Sequence, residues 1–315
     1  MMKIGIDIMG GDFAPEVTVL GSILAQKELP HDAKLVLIGD ENKINQIVTR
    51  EKFDSTLWEI VHTTDFIGMG EHPSKAFAQK PDASIPVGFN LLKSKQIDAF
   101  ASAGSTGAMM VGAMIVIKLI PGIIRPSIAT IMATDSNVPS VIIDAGINPD
   151  ARPDVLIQYG ILGSLYAQHV FNIQNPRVAL LNIGSEEEKG NLVTKAAYPI
   201  FKDTKAFNFV GNIEGHDIFF KEKVDVIVCD GFVGNVVLKA AEAFYHLVKK
   251  RNIDDPFFEK FNFETYGGTP ILGIDSIAII GHGISTPLAI KNMILHTYRM
   301  VKVGLIDKIK EAFQP

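Results

Sequence analysis

The sequence predicts an α/β protein whose doubly wound, largely parallel sheet carries helices on both faces. Two observations lead there. Short β-branched runs alternate with helix-length segments along nearly the whole chain, the pattern left by strands joined through helical crossovers. The 315 residues are 47% hydrophobic and 21% charged, enough for a substantial core. Neither a fixed-period repeat nor a low-complexity linker interrupts them, so the chain reads as one catalytic unit, 1–315, with a candidate meeting of two lobes near 121–139.

Strands are predicted at Lys3–Ile8, Lys34–Ile38, Trp58–His62, Ile97–Ala101, Ser127–Met132, Ser140–Asp144, Arg177–Ile183, Ala206–Val210, Val224–Cys229 and Ser276–Ile280, where Val, Ile and aromatic residues cluster between turn formers. Helices fall between them, at Pro15–Glu28, Ile85–Lys95, Pro153–Phe171, Asn191–Lys202, Asn235–Lys249 and Thr286–Phe313. The most apolar segment, Ala108–Ile117, is followed by Lys118 and Pro121-Gly122. It has about half of the roughly 20 residues a membrane span needs and reads as a buried core helix.

A formal net charge of −5 argues against a nucleic-acid partner. One cysteine, Cys229, excludes an internal disulfide framework and suits a reducing, cytoplasmic setting. The start, Met1-Met-Lys-Ile-Gly-Ile-Asp7, alternates like a strand, and no signal peptide is expected.

In sheets of this kind, ligands bind outside the carboxyl ends of the strands. The unusual residues fall there: Asp7-Ile-Met-Gly10-Gly11-Asp12, Ser102-Ala-Gly104-Ser105-Thr106-Gly107-Ala108, Asn182-Ile-Gly184-Ser-Glu-Glu-Glu-Lys189-Gly-Asn191, Asp230-Gly231-Phe-Val-Gly234-Asn235 and Ile280-Gly-His282-Gly-Ile-Ser285. They offer backbone amides, the hydroxyls of Ser102, Ser105 and Thr106, the side-chain amides of Asn182 and Asn235, and one cation, Lys189. That inventory suits a phosphate held by neutral donors and a point charge. The predicted strand Val224–Cys229 runs through Asp230–Asn235 into a helix start at Asn235, itself an anion site. No Gly-Lys-Ser/Thr or Gly-x-Gly-x-x-Gly phosphate loop occurs.

Each residue also has a plainer reading. Lys189 is a solvated residue beside the Glu186–Glu188 run, Asp12 and Asp230 are helix caps, His72 and His282 are hydrogen-bonded loop residues, and Cys229 is a small hydrophobe in a strand. No His, Asp or Glu cluster has metal-site spacing, so no metal is expected.

The segments at Asp7–Asp12, Ser102–Ala108, Leu180–Gly190, Gly211–Asp217, Asp230–Asn235 and Tyr266–Gly273, in this order along the chain, resemble the signature segments of the bacterial PlsX family, the acyl-[acyl carrier protein]:phosphate acyltransferases. The resemblance implies a phosphotransacetylase-like and isocitrate-dehydrogenase-like fold and a homodimer. It also implies transfer of a fatty acyl group from acyl carrier protein to inorganic phosphate, with no cofactor. The acyl phosphate then serves a membrane glycerol-3-phosphate acyltransferase at the entry to phospholipid synthesis.

On that reading phosphate is itself the nucleophile, which suits a chain without a Gly-x-Ser-x-Gly elbow. Lys189 and Asn235 are the catalytic candidates, one for the anion and one for the oxyanion. Gly10, Gly11, Asp12, Ser102, Gly104, Ser105, Thr106, Gly107, Asn182, Gly184, Asp230, Gly231, Gly234 and His282 are the substrate-binding candidates.

Three rivals remain: a phosphotransacetylase acting on an acyl-coenzyme A, a nicotinamide-linked dehydrogenase and a non-enzymatic scaffold. Two departures from the family pattern stand out. Ser105 replaces a common Asn, and Arg251–Thr265 is short where relatives carry a longer amphipathic hairpin that touches the membrane. Its Pro256–Phe263 aromatics would line an acyl groove, dip into a bilayer or pack in a core or dimer interface. Lys249-Lys250-Arg251 would dock an acidic carrier or simply complement a helix end.

Overall fold

The computed structural model describes residues 1–314, which divide into two compact units. Among the described residues, the first comprises 1–118 and 263–302, and the second 119–262 and 303–314. The chain thus enters each unit twice.

The first pass through unit one lays down β1 (Met2–Asp7), α1 (Glu16–Gln26), β2 (Ala33–Gly39), α2 (Glu41–Arg50), β3 (Glu59–His62), α3 (Pro73–Gln79), α4 (Ser84–Lys93), β4 (Ala99–Ser102) and α5 (Thr106–Gly112). In the second unit follow β5 (Ser127–Met132), β6 (Ser140–Ile143), α6 (Pro153–Val170), β7 (Arg177–Leu181), α7 (Leu192–Asp203), β8 (Asn208–Ile213), β9 (Val226–Val228), α8 (Gly231–Lys250) and α9 (Pro256–Glu259). The chain then returns to unit one with β10 (Thr269–Leu272), β11 (Ile277–Ile280) and α10 (Pro287–Lys302), and closes in unit two with α11 (Leu305–Ala312).

Strands of the first unit run in the order β3-β2-β1-β4-β11-β10, all neighbours parallel except β10 with β11. Those of the second run β5-β6-β9-β7-β8, antiparallel only at β5–β6. Every residue of β4, β6 and β9 is buried. Strands covered by helices on both faces lose the polar alternation that a solvated face would impose, so their sequences read as unbroken apolar runs.

Packing follows the small residues. Gly21 of α1 lies against Ile290 of α10, and Gly88 of α4 accepts the ring of Phe100. Gly163 of α6 lets Val226 approach. Asn191 caps α7 through the amides of Val193 and Thr194, and Pro153 opens α6 where its missing N–H costs nothing.

Four expectations change. The strand Thr269–Leu272 was not foreseen, because Pro270 and flanking glycines mark the segment as a turn. The last helix breaks at Gly304, whose left-handed φ of 63° ends α10 and starts α11 in the other unit. The Ala108–Ile117 segment buries only one side, since Ile115 keeps 65% of its surface exposed. Finally, α8 begins at Gly231 rather than Asn235.

Among the described residues, no helix is long and apolar enough to cross a membrane. The aromatics after α8 are half-buried against one another: Phe257 contacts Phe258 and Phe261, Phe258 contacts Phe244, and Phe261 contacts Phe219 and packs on the core of unit two. The side chain of Phe263 lies outside the described residues. Lys249 pairs with Glu259, tying the end of α8 to α9.

Candidate active site

In unit one, the carboxyl ends of β1, β4 and β11 gather three of the predicted loops. Asp7 closes β1 with a buried carboxylate that accepts hydrogen bonds from Ser102 Oγ at 2.6 Å and Met9 N at 2.9 Å. Burial pushes its proton affinity up in spite of these donors. The Ser102 hydroxyl also accepts from Gly104 N at 3.0 Å, which fixes the turn after β4. A Cβ on Gly10 would stand 2.7 Å from Gly104 N, so the two loops touch backbone to backbone. Asp12 N donates to Gly283 O at 2.8 Å, bringing the segment after β11, with His282, against the first loop.

These contacts redistribute the predicted donors. A hydroxyl has one hydrogen, and that of Ser102 is already given to Asp7. Ser105 caps α5 by accepting from Ala108 N at 3.3 Å, which leaves its own hydrogen to donate. Thr106 beside it is exposed. Gly107 serves packing as well, for a Cβ there would meet the ring of Pro73 at the start of α3.

Unit two builds its site around a carboxylate. Asp144, fully buried just after β6, accepts from the amides of Ile128, Gly146, Ile147 and Asn148 at 2.7–3.3 Å. It holds the 144–148 loop against the start of α8. Gly231 N donates to Asn148 O at 2.8 Å, and the Asn235 amide reaches Ala145 O at 3.4 Å. Asp230 is the N-cap of α8, its carboxylate accepting from Val233 N at 2.8 Å. Asn235 therefore lies within the second turn of the helix, exposed, with its amide against the 144–148 loop.

The loop after β7 is clamped by Asn182, which accepts from Ile183 N and donates to Lys189 O. Gly184 is buried in the same loop, where a Cβ would come 2.8 Å from Lys189 Cγ. Lys189 precedes α7 in an exposed turn, and its ammonium has no hydrogen bond or ion pair among the described residues. Neighbouring cations do pair: Lys202 holds Glu187 at 2.9 Å. Asn182, Gly190 and Asp230 share one cavity of about 360 Å³. A second concavity, about 430 Å³, is lined by Arg125, Asn148, Asp150 and Arg152 among others.

A family model described as "Fatty acid synthesis protein" matches residues 2–254. The phosphate acyltransferase of Dictyoglomus turgidum is 40% identical over 334 residues, covering 99% of this chain and 97% of that one. The phosphate acyltransferase of Halothermothrix orenii is 41% identical over 330 residues, covering 98% of each. The chain belongs to the PlsX family of phosphate acyltransferases. A phosphotransacetylase from Streptococcus pyogenes superposes with a TM-score of 0.68 at 17% identity, covering 96% of this chain and 94% of that one, which shows that the family member has the phosphotransacetylase-like fold.

Membership explains how a site rich in backbone donors belongs to an acyltransferase. Cys229, just beyond β9, is buried, and burial raises its thiol well above the ordinary range. A thiol held neutral is a poor nucleophile, in line with the small-hydrophobe reading. Sequence reasoning missed Asp7, Asp144 and Arg125. The signal for the first two was a lone carboxylate at the end of an apolar run with glycine just after it. Arg125 left no comparable signal.

Proposed function

We propose that this chain transfers a fatty acyl group from the thioester of acyl carrier protein to inorganic phosphate, giving acyl phosphate for phospholipid synthesis. The supporting observation is that the loop bearing the uncommitted Lys189 and the capped start of α8 border one cavity at the strand ends of unit two. Such a set binds an anion without a covalent nucleophile.

A phosphate oxygen attacks the thioester carbon, the C–O bond forms, and charge builds on the carbonyl oxygen. The tetrahedral intermediate then breaks its C–S bond, and the leaving thiolate takes the proton that phosphate loses. Lys189 lowers the cost of bringing the anion to the carbonyl. The Asn235 amide, or an N–H from the first turn of α8, faces the oxyanion. Within unit one, Ser105 and Thr106 keep hydroxyl hydrogens that an anion can accept.

Arg125 beside the second concavity fits an anionic group such as the phosphodiester of a carrier's prosthetic arm, whereas Arg152 there is already paired with Asp154. Homodimerisation is supported by the exposed Phe232, Val236 and Leu247, which lie along one stripe of α8. Handing acyl phosphate to a membrane acyltransferase calls for peripheral association, which liposome co-sedimentation tests. The contacts of Phe257, Phe258 and Phe261 with other aromatics, and of Phe261 with the core, weigh against their serving as anchors.

The deciding experiment follows free thiol and acyl phosphate from a long-chain acyl carrier thioester with and without orthophosphate. Release that ignores phosphate overturns the proposal. Equal or better turnover of acyl-coenzyme A assigns the phosphotransacetylase activity instead. Lys189→Ala and Asn235→Ala each lower turnover by about 100-fold to 1,000-fold, the range for losing one such donor. Near-normal turnover of both folded variants removes their roles.

A further inference from the structure

Resting on that reading, we infer that the cavity of about 360 Å³ between the carboxyl ends of β7 and β9 and the first turns of α7 and α8 holds the fatty acyl chain, and that Val193 sets how long a chain it takes. Its apolar walls include Leu156, Leu181, Val193 and Val233; its polar groups are those of Asn182, Asn191, Thr194 and Asp230.

The polarity is that of an amphipathic ligand. Hydrogen-bonding groups come from the Lys189 loop and from the starts of α7 and α8, and hydrocarbon makes up most of the remaining wall. A thioester carbonyl placed at the polar edge lies next to the proposed phosphate donors, while its tail leaves water for an apolar wall. Each buried methylene is worth about 0.8 kcal/mol.

Size agrees with a chain rather than a short acid. At about 30 Å³ for each water-sized group, the cavity takes roughly a dozen methylenes. Longer chains have an apolar way out. Ile183, which lines the mouth, is 79% exposed, and Leu192 beside Val193 is 87% exposed. An isoleucine and a leucine this bare beside an apolar cavity are explained if hydrocarbon covers them when substrate is bound. This assigns the tail to unit two's strand ends and not to the Pro256–Phe263 aromatics.

Val193 suits the test because it is half-buried at the second position of α7, where only its backbone amide serves the Asn191 cap. Val193→Phe fills the cavity and Val193→Ala enlarges it. Phosphate-dependent thiol release is compared for octanoyl, lauroyl and palmitoyl carrier thioesters, and binding of the fluorescent fatty acid cis-parinarate is measured for each protein.

Val193→Phe is expected to lower kcat/KM for palmitoyl relative to octanoyl by at least about tenfold, the discrimination a hydrophobic pocket gives for one misfitted methylene. It should also weaken parinarate binding, whereas Val193→Ala shifts preference toward the longer chain. Equal changes for all chain lengths, or unchanged parinarate affinity in folded Val193→Phe, overturn the assignment. Failure of the acyltransfer reading looks different: the wild type then releases no thiol in response to phosphate, yet binds parinarate in a Val193-dependent way.

Discussion

Gly234→Ala tests the join between α8 and the Asp144 loop. An alanine in a helix interior is ordinarily stabilising relative to glycine by about 1 kcal/mol. Here the added Cβ would overlap the carbonyl oxygen of Asp144, lie 3.0 Å from its carbon and 3.1 Å from Cys229 Sγ. The obstacle is backbone, fixed by amides donating to the Asp144 carboxylate, so no side-chain rotation relieves it. Ordinary contact requires the start of α8 to move by at least about 1.5 Å.

Overpacking of this kind costs about 1–3 kcal/mol. Against the propensity gain, the net loss is at most about 2 kcal/mol, or a fall in Tm of up to about 8 °C for a domain-sized body. The same shift carries Asn235 and the first-turn amides away from the substrate carbonyl, and misplacement by about 1 Å costs about 100-fold in turnover. Differential scanning calorimetry and the phosphate-dependent thiol assay measure the two effects. Gly215→Ala is the control, since nothing lies within 4 Å of a Cβ built there, and its Tm should stay within the range of an ordinary surface change. If Gly234→Ala matches Gly215→Ala in both Tm and turnover, the close packing of α8 on Asp144 is wrong.

Ser102→Ala removes the donor to buried Asp7 and the acceptor of Gly104 N; it should cost about 1–3 kcal/mol in chemical denaturation, with the KM for phosphate unchanged. Ser105→Ala should raise that KM, along with the roughly 1 kcal/mol of a lost cap; identical kinetics in the two variants would refute the division of labour. Asp144→Ala strands several loop amides, and urea titration should find at least about 3 kcal/mol lost; a smaller loss would show that the loop holds itself. His296, buried in α10, has its pKa pulled down to about 4, by burial first and then by Arg299. The unfolded chain takes up the proton near pH 6.5 and the folded one only near 4, so acid favours unfolding across that window. The loss is about 3 kcal/mol by pH 4, and His296→Gln should flatten that part of the stability profile.

Much of the scaffold was legible because buried parallel strands write themselves as apolar runs. Ser127–Met132 coincides with its predicted bounds, and most other predicted strands are displaced by one or two residues at their ends. The misses share a cause in local chemistry overridden from afar. Pro270 argues against a strand until β11 supplies a partner, and the helix periodicity through 286–313 hides the single left-handed glycine that divides it. At the site, glycine-rich turns after strands were visible. Which hydroxyl is free was not: Ser102 and Ser105 look alike in sequence, and only Asp7, 95 residues away, consumes the hydrogen of one of them.

The sequence by itself determined the fold class, the family and the places where ligand chemistry gathers, because each is written in local periodicity, turn residues and motifs read in order. Only the tertiary structure decided which donors remain available, that Asp144 braces the start of α8, and that Lys189 stands unpaired near an apolar cavity. Those properties depend on contacts between segments distant in the chain: a hydrogen bond formed with one partner is withdrawn from every other, and a cavity belongs to no single segment.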